Sequence, residues 1–333
     1  RAATLFESVG SDRMLADALM YQAETTSNAA ISINESKNPT LIAETVRLAE
    51  QADAIFERRR GELYLDNALE NWRARQELSR DWERLTNLFM RIHLYHHPDM
   101  PPFWERLQIS KARSMMDALS GSGADIKGPE SPSYEKAVAW LNGQKRPIAL
   151  VDWAILGGSV YIMVLRQGQD VILRRLPMDA RRLENEIQSF CSGQMSVNIK
   201  TFPEILSSFD DLISPLGELT RPEDLLVLCP TGAISLLPIH ALMIDGNCLI
   251  DRNPIIYVPN HAFVMRPQKI DTTNRLMAVF GDPTEDLDSA QALAQMLGQN
   301  FGVDPVLGEA VTEERIEAAL GEARIVHYQG HAQ

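Results

Sequence analysis

The sequence predicts an α/β chain, with an all-helical first third followed by a region built on a mainly parallel sheet. Three observations predict it. Residues 1 to 120 carry apolar positions at helical spacing and no strand pattern. Residues 120–133, SGSGADIKGPESPS, are rich in Gly, Ser and Pro and read as a linker. From Arg275 onward strands and helices alternate, as βαβ units of a parallel sheet do.

In the first third, Leu41, Ile42, Val46, Leu48, Ala49, Ala52, Ile55 and Phe56 follow the three-and-four spacing of one helix face. Similar patterns cover 11–34, 61–94 and 103–119, with short connections at Asn38-Pro39 and Pro101-Pro102. Antiparallel helix pairs of this length build bundles or solenoids. The period is compatible with tetratricopeptide repeats of about 34 residues, although the full signature is absent, so the region is read as TPR-like. The organisation expected is a helical region over 1–120, a linker over 121–134, and α/β parts over 135–270 and 271–333.

After the linker, PIALVDWAILGGSVYIMVLRQGQDVILRRLP reads as two or three strands with Gly-Gly and Gln-Gly turns. A helical segment is predicted over 179–218. Leu225–Leu228 is a short continuous apolar run, as in a strand buried on both faces. Then RLMAVFGDP is a strand, 287–300 a helix, VDPVLGEAV a short strand, Thr312–Leu320 a helix capped by Thr312, and ARIVHYQGHA the last strand. Functional loops of open parallel sheets gather at the carboxyl ends of strands. Asp282 and His331 both fall at such ends.

Composition narrows the function classes. A net charge of −13 over 333 residues argues against non-specific nucleic-acid binding, which needs a basic surface. No apolar run approaches the roughly 18 residues of a membrane span, and no signal-peptide pattern is present. Cys191, Cys229 and Cys248 form no metal-ligand spacing, and three cysteines suit a reducing, cytoplasmic setting.

The candidate residues each admit two readings. His331, after a strand and Gly330, is either a general base with a near-neutral pKa or a structural hydrogen-bonding group. Alternation puts His327 on the same strand face, as a packed strand residue. Asp282 in Gly-Asp-Pro is a substrate-recognition carboxylate or the start of a strand-terminating turn. Cys229 and His240 read as a small buried thiol and a buried hydrogen-bonding histidine. His93 and His97 lie four apart on a helix, but no third ligand has a suitable spacing, so no metal is expected. No Walker A loop, dinucleotide fingerprint or HExxH is present, and no cofactor is expected.

Four segments together resemble the CHAT domain, a caspase-like family found beside tetratricopeptide repeats. They are ISKARSMMDALSG (109–121), DLLVLCPTGAISLLPIHALMIDGNCLIDRNPIIYVPNHAFV (224–264), MAVFGDP (277–283) and ARIVHYQGHA (323–332). The resemblance implies a caspase-like fold and a cysteine endopeptidase. It places the catalytic histidine on His331 and an oxyanion-hole N–H on Ala332, where the family often has Gly. It puts the nucleophilic cysteine on a strand beyond residue 333, so none of the three cysteines here is assigned that role. The 333 residues alone are then expected to be inactive and to end on an incomplete sheet. It further implies a protein substrate and a regulatory protein partner on the helical repeats, in bacterial defence or regulated proteolysis. The alternative is a non-catalytic interaction protein built on a pseudo-protease domain.

Overall fold

The computed structural model describes residues 11–32, 39–65, 72–95, 100–120, 132–192, 202–265 and 275–330. The chain divides into two compact units, Arg1–Arg266 and Pro267–Gln333. The expected linker lies largely outside the described residues.

The first unit opens with four helices, α1 (Asp12–Ser32), α2 (Pro39–Leu65), α3 (Trp72–Tyr95) and α4 (Met100–Ser120). Ala16, Met20, Ala23, Ile42, Leu48, Ala52, Phe56, Leu85, Leu88 and Ile92 form one core among α1, α2 and α3. These are the three-and-four positions of the amphipathic pattern. Arg58 near the end of α2 pairs with Asp12 at the start of α1 at 2.7 Å, as antiparallel neighbours require. Pro101 and Pro102 sit inside the first turn of α4 rather than in the connection before it. Proline has no N–H to lose there and its fixed φ suits a helix start, so α4 begins earlier than the apolar pattern alone indicates.

After α5 (Tyr134–Asn142), capped by Ser133, come β1 (Ile148–Leu156), β2 (Ser159–Arg166) and β3 (Ile172–Asp179). The predicted 179–218 helix resolves into α6 (Ala180–Cys191), α7 (Phe202–Ser207), a 3-10 turn at Asp210–Leu212 and the short α8 (Leu216–Leu219). Pro203 and Pro215 break the run, because proline cannot continue a helix interior. β4 (Leu225–Cys229) follows. A two-residue hairpin, β5 (Met243–Ile244) and β6 (Asn247–Cys248), and the short α9 (Leu249–Arg252) lead to β7 (Ile255–Tyr257) and α10 (Ala262–Met265).

The five-stranded sheet has the order β3-β2-β1-β4-β7. β1, β2 and β3 form an antiparallel meander, whereas β4 and β7 run parallel to β1. Both faces are covered, which is why β1, β2 and β4 read as continuous apolar runs. Ala149, Val151, Trp153, Leu226 and Leu228 face α6 and the 209–219 segment. Ile148, Leu150, Leu156, Met163 and Val227 face Phe103, Trp104 and Leu107 of α4 and Ala137 and Leu141 of α5. Helix α4 thus belongs to the sheet's core as well as to the helical region.

The second unit holds β8 (Arg275–Gly281), α11 (Asp288–Phe301), β9 (Val306–Leu307), α12 (Glu313–Glu322) and β10 (Ala323–Gln329). Its sheet is parallel with the order β10-β8-β9. Thr312 caps α12 by accepting from the Arg315 N–H, with Glu313 and Glu314 in the first turn. The whole is an α/β architecture with helices first and mostly parallel strands after.

Gly281 is fixed by close approach: a Cβ there would lie 2.6 Å from Ala294 Cβ on α11 and 3.0 Å from Leu307 Cδ2. Replacing Gly281 with Ala is expected to destabilise the second unit by about 1–3 kcal/mol through overpacking. Adding Ala294→Gly should recover part of that loss, and denaturant unfolding of the two variants checks it.

Candidate functional sites: a strand-end turn and a buried charge network

The carboxyl ends of β8 and β10 lie level, with Gln329 opposite Gly281. The Asp282 N–H donates to the Gln329 carbonyl at 2.8 Å, so the chain leaving β8 is tied to the end of β10. Asp282 has φ 51°, in the left-handed region that Asp tolerates better than most residues. Its side chain is 1% exposed. Its Oδ1 accepts from the backbone N–H groups of Asp286 and Leu287, both at 3.1 Å. These amides lead into α11, so the carboxylate organises the turn that starts that helix.

Gly330 follows, and it too is required by close approach. A Cβ at Gly330 would meet the Tyr328 hydroxyl at 2.7 Å and Pro283 Cδ at 2.9 Å. The Gly-Asp-Pro turn and Gly330 are therefore mutually packed. His331 and Ala332 lie outside the described residues. His327 sits within β10, opposite Val279, partly buried and with no partner for its Nε2.

The first unit contains a second constellation, centred on Asp152. This carboxylate is 0% exposed, in the middle of the apolar strand β1. Four donors converge on it. Oδ1 accepts from Lys111 Nζ at 2.8 Å and from Gln108 Nε2 at 2.9 Å. Oδ2 accepts from Trp104 Nε1 at 3.2 Å and lies 2.9 Å from His261 Nε2. An ionised carboxylate only accepts, so His261 Nε2 carries the hydrogen of that contact. The lone-pair sites of the carboxylate are then saturated.

Three of the donors come from α4. Trp104, Gln108 and Lys111 are four and three residues apart, which stacks them on one helix face. The Trp104 indole lies parallel to the His261 ring, with centroids 6.2 Å apart and planes 7° apart. Gln108 also grips the segment after β7. Its carbonyl accepts from Asn260 Nδ2 at 2.8 Å, and its Oε1 receives the His261 N–H at 3.5 Å. Lys111 bonds in addition to the Cys229 carbonyl, at the end of β4.

The electrostatics follow from burial against pairing. Burial, the largest single influence on Asp152, pushes its carboxyl up. The charges and hydrogen bonds of His261 and Lys111 outweigh it and hold the group well below the usual carboxylate range. Burial likewise pulls Lys111 down, but Asp152 and then Cys229 more than offset this and its value ends raised. The Cys229 thiol is pushed up to about 12, by burial first, with Lys111 opposing and Asp152 adding. It donates to the Pro259 carbonyl at 3.2 Å.

Among the described residues, Asp152, Cys229 and His261 are also a group whose ligand-type atoms lie within 4.8 Å of one another. The cation of this cluster is the Lys111 ammonium, and both Asp152 oxygens and His261 Nε2 already have partners. Nor is it a nucleophilic arrangement. Such a site needs a histidine bonded to the thiol by one nitrogen and oriented through the other. Here Nε2 is on Asp152, Nδ1 has no partner, and the thiol stays protonated at neutral pH. Cys229 reads as a small apolar residue, and its burial in the hydrophobic core agrees, although Lys111 and Asp152 also lie beside it. His240 is half-buried rather than buried, and its Nδ1 lies 3.0 Å from the Tyr257 hydroxyl. His93 lies in α3, and His97 is outside the described residues.

The sequence reading missed Lys111, Asp152 and His261. One signal was available: Asp152 is a lone carboxylate in a nine-residue strand that is otherwise apolar, and a buried charge must be paired. Nothing in the spacing of Lys111 or His261 named them as its partners.

The network sets the pH dependence of stability. Asp152 has a lowered folded value, so its contribution is present above 3.8 and lost as pH falls. Lys111 and Cys229 have raised folded values, so theirs are present below 10.5 and 9.0 and lost as pH rises. The unfolding free energy of the first unit should therefore decline above about pH 9. Cys229→Ala should flatten the part of that decline between 9 and about 12. Denaturant midpoints measured across this range check it.

Among the described residues no helix is long and apolar enough to cross a membrane. No curated protein matches the chain. Residues 209–333 match the family model of the CHAT domain, a stretch that takes in β4, β7, the Gly-Asp-Pro turn after β8 and the Gly-His end of β10.

Proposed function

We propose that this chain is part of a caspase-like cysteine endopeptidase. The observation that carries the reading is the CHAT match over residues 209–333, which includes the Gly-His motif at the end of β10. In this reading His331 is the general base that takes the proton from a thiol and returns it to the leaving amine. The Ala332 N–H helps to hold the oxyanion of the tetrahedral intermediate.

The nucleophile comes from a segment following residue 333. Cys229 is unsuited to the role, since its thiol is buried and its pKa is raised rather than lowered. The Gly330 turn suits the proposal, because it lets the backbone run close against Pro283 before the histidine. Asp282 would favour a basic substrate residue if it lined the pocket. Its burial and its two backbone donors weigh toward the turn role, and equal cleavage after arginine and after uncharged residues would remove the pocket role. A protein substrate, and a regulatory partner on the helical region, complete the proposal, with bacterial defence or regulated proteolysis as the setting.

Cleavage of protein substrates by the full-length protein tests it. His331→Ala should abolish cleavage, a loss of at least about a hundredfold as expected for a general base, while partner binding is kept. Cys191→Ser should leave the rate unchanged. An unchanged rate in His331→Ala, or no cleavage by the wild type with its partner bound, would favour a non-catalytic interaction protein.

A further inference from the structure

Helix α4 is held from both sides. On one side Arg106 lies over the Phe89 ring of α3, 3.9 Å from its centroid, and pairs with Asp53 of α2 at 3.2 Å. On the other side Trp104, Gln108 and Lys111 close over Asp152, as described above. What lies beneath them is a place of some consequence in the fold. β1, β4 and β7 are parallel, Asp152 is in register with Cys229, the last residue of β4, and His261 follows β7 by a few residues. The cluster therefore sits where parallel strands end, the usual position of a crevice in such sheets. In this structure the crevice is filled by Trp104, Gln108 and Lys111 of α4, flanked by the buried Phe103 and Leu107.

We infer that this face of α4 is a polar latch, and that it opens as a discrete step short of unfolding. In that step Asp152, Cys229 and His261 become accessible together and the Asn260–His261 segment is let go. The argument is electrostatic. Withdrawing α4 removes three of the four donors on Asp152, including the Lys111 ammonium. A small displacement leaves the buried carboxylate with His261 alone, which is costly. A large one lets water solvate both Asp152 and Lys111, which repays much of that cost. Intermediate positions are therefore disfavoured and two states remain.

A buried ion pair also adds little net stability against its own desolvation while strongly fixing geometry. A helix docked this way resists sliding. The Asn260 side chain and the His261 ring are held by Gln108 and Trp104 of the same helix, so their release is coupled to the opening.

Thiol labelling of Cys229 in the full-length protein, with Cys191→Ser and Cys248→Ser, tests the latch. The rate with iodoacetamide is followed across low denaturant concentrations. Opening of the latch predicts a denaturant dependence well below that of global unfolding, about a third of it or less, since the slope follows the surface exposed. The amides of His261 and Ala262 should exchange with the same opening equilibrium. Lys111→Met should raise the labelling rate at least about tenfold, because an unpaired buried charge is strongly destabilising. The double variant Lys111→Met with Asp152→Asn should bring it back to within about threefold of the parent, as expected when the two charges act on each other directly. Labelling that tracks global unfolding, or an unchanged rate in Lys111→Met, would overturn the inference. If Lys111→Met fails to fold, the denaturant slope of the parent protein decides.

Discussion

A single buried carboxylate governs how the first unit is put together. Asp152 sits in the middle of β1, where both sheet faces are covered and no water reaches it. A charge in such a place has to be met by donors, and β1's own neighbours are apolar. The donors are recruited from 41 to 48 residues upstream, on α4, and from His261, 109 residues downstream. The carboxylate therefore specifies which turn of α4 faces the sheet. An apolar interface of Phe103, Leu107, Leu150 and Met163 would accept neighbouring registers of the helix, whereas the Lys111–Asp152 pair accepts one.

That constraint makes the helical region and the five-stranded sheet one body. Composition and the Gly/Ser/Pro-rich stretch suggest a clean break near residue 120. In the structure α4 and α5, on either side of that stretch, cover the same face of the sheet. The chain separates into its two compact units at Arg266, after α10. A low-complexity stretch reports local backbone freedom and says little about which elements share a core.

Period and propensity made much of the fold legible. The three-and-four spacing of Ala49, Ala52 and Phe56 is the buried stripe of α2, and the continuous run at Leu225–Leu228 lies in the strand Leu225–Cys229, with both faces covered. Thr312 with two following glutamates marked the start of α12. Less legible were features decided by tertiary partners. Pro101 and Pro102 read as a break and are a helix start. The 179–218 stretch read as one helix and is several short pieces. Asp282 offered two readings from its motif, and its buried position between two backbone donors could only be seen once β8 and β10 were side by side. The Asp152 network was the least legible part, because a lysine, a glutamine and a histidine scattered over 150 residues have no signature in spacing. The lone carboxylate in the strand was the trace it left.

The two strand-end regions place opposite demands on the same kind of location. After β8 and β10, the glycines at 281 and 330 remove side chains so that backbone can approach backbone, and the turn is organised by amides that Asp282 collects. After β4 and β7 the corresponding space is filled, by an indole, an amide and an ammonium from α4 that together with His261 satisfy every acceptor position of Asp152. Residue types alone do not distinguish these cases, since a cysteine, a histidine and an aspartate within 4.8 Å are a more suggestive set than a glycine and a histidine. Protonation and access distinguish them. A thiol pushed up to about 12 by burial, and covered by α4, is not a nucleophile at neutral pH.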